Sequence, residues 1–495
     1  MLNEIEISTN MKTTIRLTLA AFSFMLTAPA FAQQFSSSYF MEGSMYRHEL
    51  NPAFQAPQNY VAMPLLGNLN IGLKGNLGIG DVFFNRNGKT VTYLHPDVTP
   101  ADALKNINDK NKFILDVRTP ILAGGFAAWK GYNTVGINLR VMAGVHFGKE
   151  LFDLTKNLQN QNYNIGSAAL MSQAFVEVAF GHSHKIDDNW TVGGKLKFLF
   201  GAARLNAELQ DLQMNLESPN EWRATAKARV EGNVTGLELL SKHAKYNDET
   251  KNTKVDPATG ERYGYDTIDD VKLDKPGLGG FGLALDLGAV YDFKDLVPGL
   301  KASLSFIDLG FIHWDETHVI ENNGEEFVFD GFQNIRVKDG NENNKTLSNQ
   351  IDDLGDRLQD LYRLENKGNT GGSTHGIGLT MNVGVEYTLQ AYDKIRFGLL
   401  STTRFHGDYT WNEERLSVNY APCNWFDMNI NGGIGTFGPC LGWMLNVHPV
   451  GFNFFIGMDH TFFKAAKPYI PMNKNADFTI GINFPFSKPK KASNS

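Results

Sequence analysis

The feature that most constrains this chain is side-chain alternation of period two, held over runs of roughly ten to fourteen residues. In 134–147, Val135, Ile137, Leu139, Val141, Ala143, Val145 and Phe147 alternate with Gly136, Asn138, Arg140, Met142, Gly144 and His146. In 379–389, Met381, Val383, Val385 and Tyr387 oppose Thr380, Asn382, Gly384, Glu386 and Thr388. Leu196 and Phe198 face away from Lys195 and Lys197, and 477–486 repeats the pattern with Phe478, Ile480, Ile482, Phe484 and Phe486. Soluble sandwiches alternate too. Their strands are usually of five or six residues, whereas a tilted membrane strand needs about 9–11. The second face mixes Gly with Lys, Arg, Glu and Asn, as a packed or hydrated barrel lumen would. Connections alternate between short and long, as periplasmic turns and extracellular loops do.

This segmentation predicts an all-β, transmembrane antiparallel β-barrel of about 14 strands. They fall near 68–80, 113–127, 134–147, 171–181, 191–203, 279–293, 300–312, 376–389, 395–406, 409–420, 425–437, 440–447, 452–462 and 475–486. Short turns at 129–133, 183–190, 294–299, 390–394, 421–424 and 448–451 then share the periplasmic side. The long connections 81–112, 148–170, 204–278 and 313–375 all fall outside. The even count returns the C-terminus to the periplasm. Within 204–278, strand extensions are expected over 205–216 and 222–234, while 242–275 reads as polar and turn-rich with no apolar face. Residues 347–364 read as an amphipathic helix, with Leu347, Ile351, Leu354, Leu358 and Leu361 on one face.

The N-terminus explains how such a chain reaches a membrane. From Met11 the sequence gives Lys12 and Arg16, an apolar stretch over 17–27, and Ala30-Phe31-Ala32 before Gln33. This reads as a cleaved signal peptide over 1–32, with translation starting at Met11. No other stretch reaches the roughly 18 apolar residues of a membrane helix. The mean hydropathy of -0.27 agrees. Only helices and closed barrels satisfy their backbone groups in lipid, so the expected location is the bacterial outer membrane, with its lipid and the barrel-assembly machinery as partners. The net charge of -7 provides no basic surface for nucleic acid.

Chemistry-bearing motifs are few. Cys423 and Cys440 would face each other across a turn at Asn431-Gly432, but that turn halves a membrane strand. A turn at Gly438-Pro439 keeps the count even and leaves two free thiols. His182-Ser183-His184 reads as part of a polar periplasmic turn, and 339–344 as a solvated loop without calcium-loop spacing. No catalytic set, metal site or cofactor motif emerges, so an enzyme is not expected.

Residues 33–67 precede the first strand, lack strand periodicity and are too apolar for a free tail. They are expected to fold back into the lumen as a hatch or plug, with Arg47 among the candidate residues, the alternative being a periplasmic tether. The plug's polar groups would meet inward-facing Arg140, Lys195 or Glu386. The barrel proper then spans 68–486, followed by a basic periplasmic tail over 487–495.

The run Arg47-His48-Glu49-Leu50-Asn51-Pro52-Ala53-Phe54 resembles the start of a large uncharacterised family of Bacteroidota outer-membrane proteins. Gly442-Trp443-Met444-Leu445-Asn446-Val447-His448-Pro449 and the following 451–459 resemble that family's ending. More distantly, the Asn-Pro-Ala start and fourteen strands are similar to the long-chain fatty-acid transporter superfamily, which implies that Asn51 and Pro52 belong to an N-terminal hatch. The expected function is a plugged or gated passage for small hydrophobic or amphipathic solutes. The alternative is a non-transporting binding or assembly subunit of secretion type, holding a protein partner on its long loops.

Overall fold

The computed structural model describes residues 35–156, 161–217, 221–245, 249–275, 277–322, 326–329, 364–461, 465–466, 470–471 and 475–486. Fourteen antiparallel strands close into one barrel. They are β1 (Leu69–Gly75), β2 (Lys110–Ala128), β3 (Gly131–Gly148), β4 (Asn162–Lys185), β5 (Trp190–Asn215), β6 (Gly280–Asp292) and β7 (Leu300–Trp314). The second half is β8 (Leu379–Thr388), β9 (Ile395–Phe405), β10 (Trp411–Cys423), β11 (Phe426–Gly435), β12 (Gly438–Val447), β13 (Asn453–Met458) and β14 (Ala476–Pro485). The register closes the ring: Leu69 on β1 lies opposite Ile480 on β14, and its neighbour Asn70 opposite Arg118 on β2. All fourteen expected strands are present.

Alternation separates lipid from lumen. On β6, Phe281, Leu283, Leu285 and Leu287 face outward, while Gly282, Ala284 and Asp286 face inward. Trp129, Trp190, Tyr392, Trp425, Phe452 and Phe486 are exposed near the short turns, where amphipathic rings mark a membrane interface. No described helix is long and apolar enough to cross a membrane; the strands do so instead. The chain is thus a membrane-spanning barrel of the outer-membrane type.

The other end is built up. β4 has 24 residues and β5 has 26, about 80 Å at ~3.3 Å per residue. They therefore project beyond the membrane, with Trp222–Val234 added alongside β5. Tyr163, Ile165, Leu212, Leu216, Ala224 and Ala226 pack within this extension.

Several expectations are corrected here. Residues 242–275 are not turn throughout: Leu237–Ala244 and Tyr265–Leu273 form a ladder. It is held by charge pairing in place of an apolar face, with Lys242 3.0 Å from Asp269 and His243 2.8 Å from Asp266. His182-Ser183-His184 lies in β4, because pairing to β5 continues as far as Lys185 opposite Thr191. The β11–β12 hairpin turns at Thr436-Phe437, with Gly435 opposite Gly438, slightly before the expected Gly438-Pro439. Cys423 and Cys440 are free thiols. Tyr60–Ala62 pairs with both β14 and β2, so the wall begins before the expected boundary at Gly67. The signal peptide, the helix at 347–364, the loop at 339–344 and the tail at 487–495 lie outside the described residues.

Candidate functional site

The candidate site is formed by the N-terminal segment and the inward faces of the strands. Residues 35–56 carry no strand pairing, so their polar groups must find other partners. They find them around the whole ring. The Ser36 and Ser37 amides donate to the Asp459 carboxylate after β13, at 2.7 and 2.8 Å. The Tyr39 hydroxyl lies 3.1 Å from the Ser303 hydroxyl on β7. Glu42 pairs with Arg396 on β9 at 3.0 Å and Lys301 on β7 at 3.5 Å. The Tyr46 hydroxyl donates to Asn483 on β14 at 2.8 Å. The Ser305 hydroxyl and the Asn382 amide donate to the Leu50 carbonyl at 2.7 and 2.9 Å, and the Ser183 hydroxyl donates to the Ala53 carbonyl at 2.8 Å. The segment therefore has polar contacts with β4, β7, β8, β9 and β14.

Glycine makes the close approach possible. A Cβ at Gly193 or Gly288 would collide with Pro52 or Asn51, and one at Gly398 with Phe40. Asn51 is fully buried. Its side-chain oxygen accepts from the Ala53 amide at 3.0 Å, and its nitrogen donates to the carbonyls of Leu304 and Ala289 at 3.3 and 3.4 Å. The Asn51-Pro52-Ala53 turn is therefore closed on itself and fastened to the wall.

Charges run from this segment into the wall. Glu49 pairs with Arg118 on β2, and with Lys195 on β5 at 3.1 Å. Arg118 reaches Glu177 at 2.9 Å, Glu177 reaches Arg140 at 3.0 Å, and Arg140 reaches Asp308 at 2.8 Å. Lys197 joins Asp308 at 2.6 Å and Asp286 at 2.7 Å. Four cations and four anions balance. Buried ions persist only when so compensated. A bulge on β7 completes the ladder: Asp286 opposes both Ile307 and Asp308, so both of these residues point inward. On the segment, burial above all, aided by Lys195, pushes the His48 imidazole down to about 3. Burial alone would raise the Glu49 carboxyl, but Arg118 and Lys195 outweigh it and hold it well below the carboxylate range.

Of the expected residues, Lys195 meets the segment directly. Arg140 reaches it only indirectly, three ion pairs away through Glu177 and Arg118. Glu386 does so through Arg396, 3.8 Å away, whose guanidinium also donates to the Phe40 carbonyl at 3.2 Å. Arg47 braces the segment itself, donating to the Tyr39 carbonyl at 2.8 Å with its guanidinium 4.0 Å above the Phe54 ring. Glu49, Arg118, Glu177, Lys197 and Asp308 were missed. Inward parity was the available signal for Arg118, Glu177 and Lys197; the bulge hides it for Asp308.

Above the ladder, towards the long loops, lies a cavity of about 620 Å³. Asp308 contributes to its lining, with Gln173, Arg204, His375 and His406 among the polar residues and Met171 and Leu209 among the apolar ones. Spaces between segment and wall are far smaller, about 10 to 20 Å³, room for a single water. Among the described residues, metal-ligand spacing is approached at Glu413, Cys440 and His460.

Residues 52–459 match a family of unknown function, DUF5723, and the chain belongs to that family. No curated protein matches the sequence. Among solved structures, the Ralstonia pickettii toluene transporter TbuX is similar at 8% identity and a TM-score of 0.40, covering 93% of this chain and 100% of its own. A Pseudomonas aeruginosa FadL homologue is similar at 10% identity and a TM-score of 0.39, covering 92% and 100%. The Pseudomonas putida toluene transporter TodX stands at 8% identity and a TM-score of 0.35, covering 88% and 93%.

Proposed function

We propose that this DUF5723 member is a gated passage across the outer membrane for small hydrophobic or amphipathic solutes. In this reading the N-terminal segment is the hatch, and the 620 Å³ cavity is the outward-facing antechamber. The observation that carries the proposal is the ring of polar contacts from residues 36–53 to strands on all sides of the barrel. A segment fastened in this way blocks the lumen until its contacts are exchanged. The solute class is supported by the lining, where Met171, Leu209 and Leu379 alternate with Gln173, Arg204 and His375. Such a mixture suits a solute with an apolar body and a polar end. Access is supported by a discontinuity in the adjoining wall. β7 pairs with β8 as far as Ile307, and with Ser373–Gly376 only from Phe311 onward.

Deletion of residues 36–55 tests the closure while sparing Tyr60–Ala62, which the wall needs. In planar bilayers the intact protein is expected to show few or no conducting steps, and the deletion variant stable open ones. Equal conductance in the two proteins would refute the hatch.

A further inference from the structure

The long-loop end of the lumen holds a second cluster, away from the cavity and drawn from three strands and the segment after β13. Glu413 lies on β10, Cys440 on β12, His460 just beyond β13 and Asp477 on β14. A carboxylate oxygen of Glu413, the Cys440 sulfur and a ring nitrogen of His460 all lie within 4.8 Å of one another. Sulfur, nitrogen and oxygen donors converging on one point are the set a borderline divalent cation such as zinc selects.

The surroundings are arranged as the supporting groups of a metal site are. His460 Nε2 faces Glu413 Oε2 at 2.8 Å, while Nδ1 faces the Asp477 carboxylate. Asp477 also accepts from the His460 amide at 3.0 Å, which fixes the ring's rotation. A histidine oriented through its far nitrogen by a carboxylate is the usual outer arrangement of a ligating imidazole. The other Glu413 oxygen accepts from Arg415 Nε at 2.7 Å, while Oε2 faces the ring. Lys74, 3.9 Å from Glu413, sits with its ammonium 3.6 Å over the Trp411 ring and has no hydrogen-bond partner among the described residues.

We propose that Glu413, Cys440 and His460 bind one zinc-type divalent cation, with Asp477 positioning the imidazole. Binding needs Cys440 as the thiolate and His460 Nε2 free of its proton, so the ion enters with release of protons. The fourth coordination position is left to water. The ion would tie β10 and β12 to the segment after β13, next to the Asp459 that anchors Ser36 and Ser37.

Cobalt(II) titration of the purified barrel in detergent tests this, since cobalt replaces zinc and reports a thiolate ligand by charge-transfer absorption. The expected result is a band that saturates at one equivalent per chain and is bleached by zinc. Cys440→Ser should remove the band and Cys423→Ser should keep it. Asp477→Asn should weaken binding by about 10- to 100-fold. Heat-modifiable electrophoretic mobility identifies the variants that remain folded barrels. Absence of the band in the unaltered protein, or a band lost with Cys423 and kept without Cys440, would overturn the proposal.

Discussion

The lumen has two parts made by the same strands with the same alternation, yet one is filled and the other open. Where residues 35–56 lie, inward positions are glycines that admit them, such as Gly193, Gly288 and Gly398, or polar side chains that bind them. Towards the ends of β4, β5 and β9, inward positions are longer polar residues such as Gln173 and Arg204, and a cavity of about 620 Å³ remains beside them. Alternation decides only that a residue faces the lumen. Side-chain size then decides whether the lumen holds a segment or a space. The Glu49-to-Asp308 ladder joins the two parts, and Asp308 lines the open one.

The largest effect is expected where the ladder is cut. Glu177→Leu removes the carboxylate shared by Arg118 and Arg140. Arg118 keeps Glu49 and Arg140 keeps Asp308, but four buried cations then share three carboxylates; one uncompensated buried charge costs about 3–5 kcal/mol, to be read as an earlier midpoint in urea unfolding from detergent. An unchanged midpoint would mean the ladder is solvated and does not bind the two parts together. A smaller, local effect is expected from Gly288→Val, whose side chain takes the place of Asn51 and Pro52. Overpacking of this kind costs about 1–3 kcal/mol. It should expose residues 36–55 to protease while heat-modifiable mobility stays that of a folded barrel.

Acidification should loosen the filled part. The His48 pKa falls from 6.5 to about 3 on folding, so the folded state resists protonation that the released segment accepts. The stabilisation is complete above pH 6.5 and is lost as pH falls towards 3. At pH 5 about 2 kcal/mol should already be gone. Protease cleavage of residues 36–55 should rise over this window, and His48→Gln should flatten the rise. The smallest effect belongs to the open part: His375→Ala, in the cavity lining, should change stability by under about 0.5 kcal/mol. Its signature should be altered uptake of a hydrophobic probe, and a large loss of stability would show that the cavity wall is packed.

The barrel was legible because the bilayer imposes both a strand length and a two-sided pattern, and 134–147 or 379–389 obey both. The N-terminal segment was legible only as an exception, too apolar for a tail and without period. Its partners were half readable. Lys195 follows from parity, whereas Asp308 depends on a bulge that shifts parity by one residue. The outer ladder of Leu237–Ala244 with Tyr265–Leu273 was missed because cross-strand charges hold it. Glu413, Cys440 and His460 share no local spacing; only the pairing of β10 through β13 brings them together.

The central claim is that the N-terminal segment must move for a solute to pass. A disulfide that fastens it tests this most directly. The Ser37 hydroxyl lies 2.9 Å from the position a Cβ would take at Gly442, so Ser37→Cys with Gly442→Cys, in a chain with Cys423→Ser and Cys440→Ser, should form the bond. Uptake of a hydrophobic fluorescent probe into proteoliposomes should fall by about tenfold when the pair is oxidised (roughly 1.4 kcal/mol in the opening equilibrium) and recover on reduction. Uptake that is the same in the oxidised and reduced proteins would contradict the account.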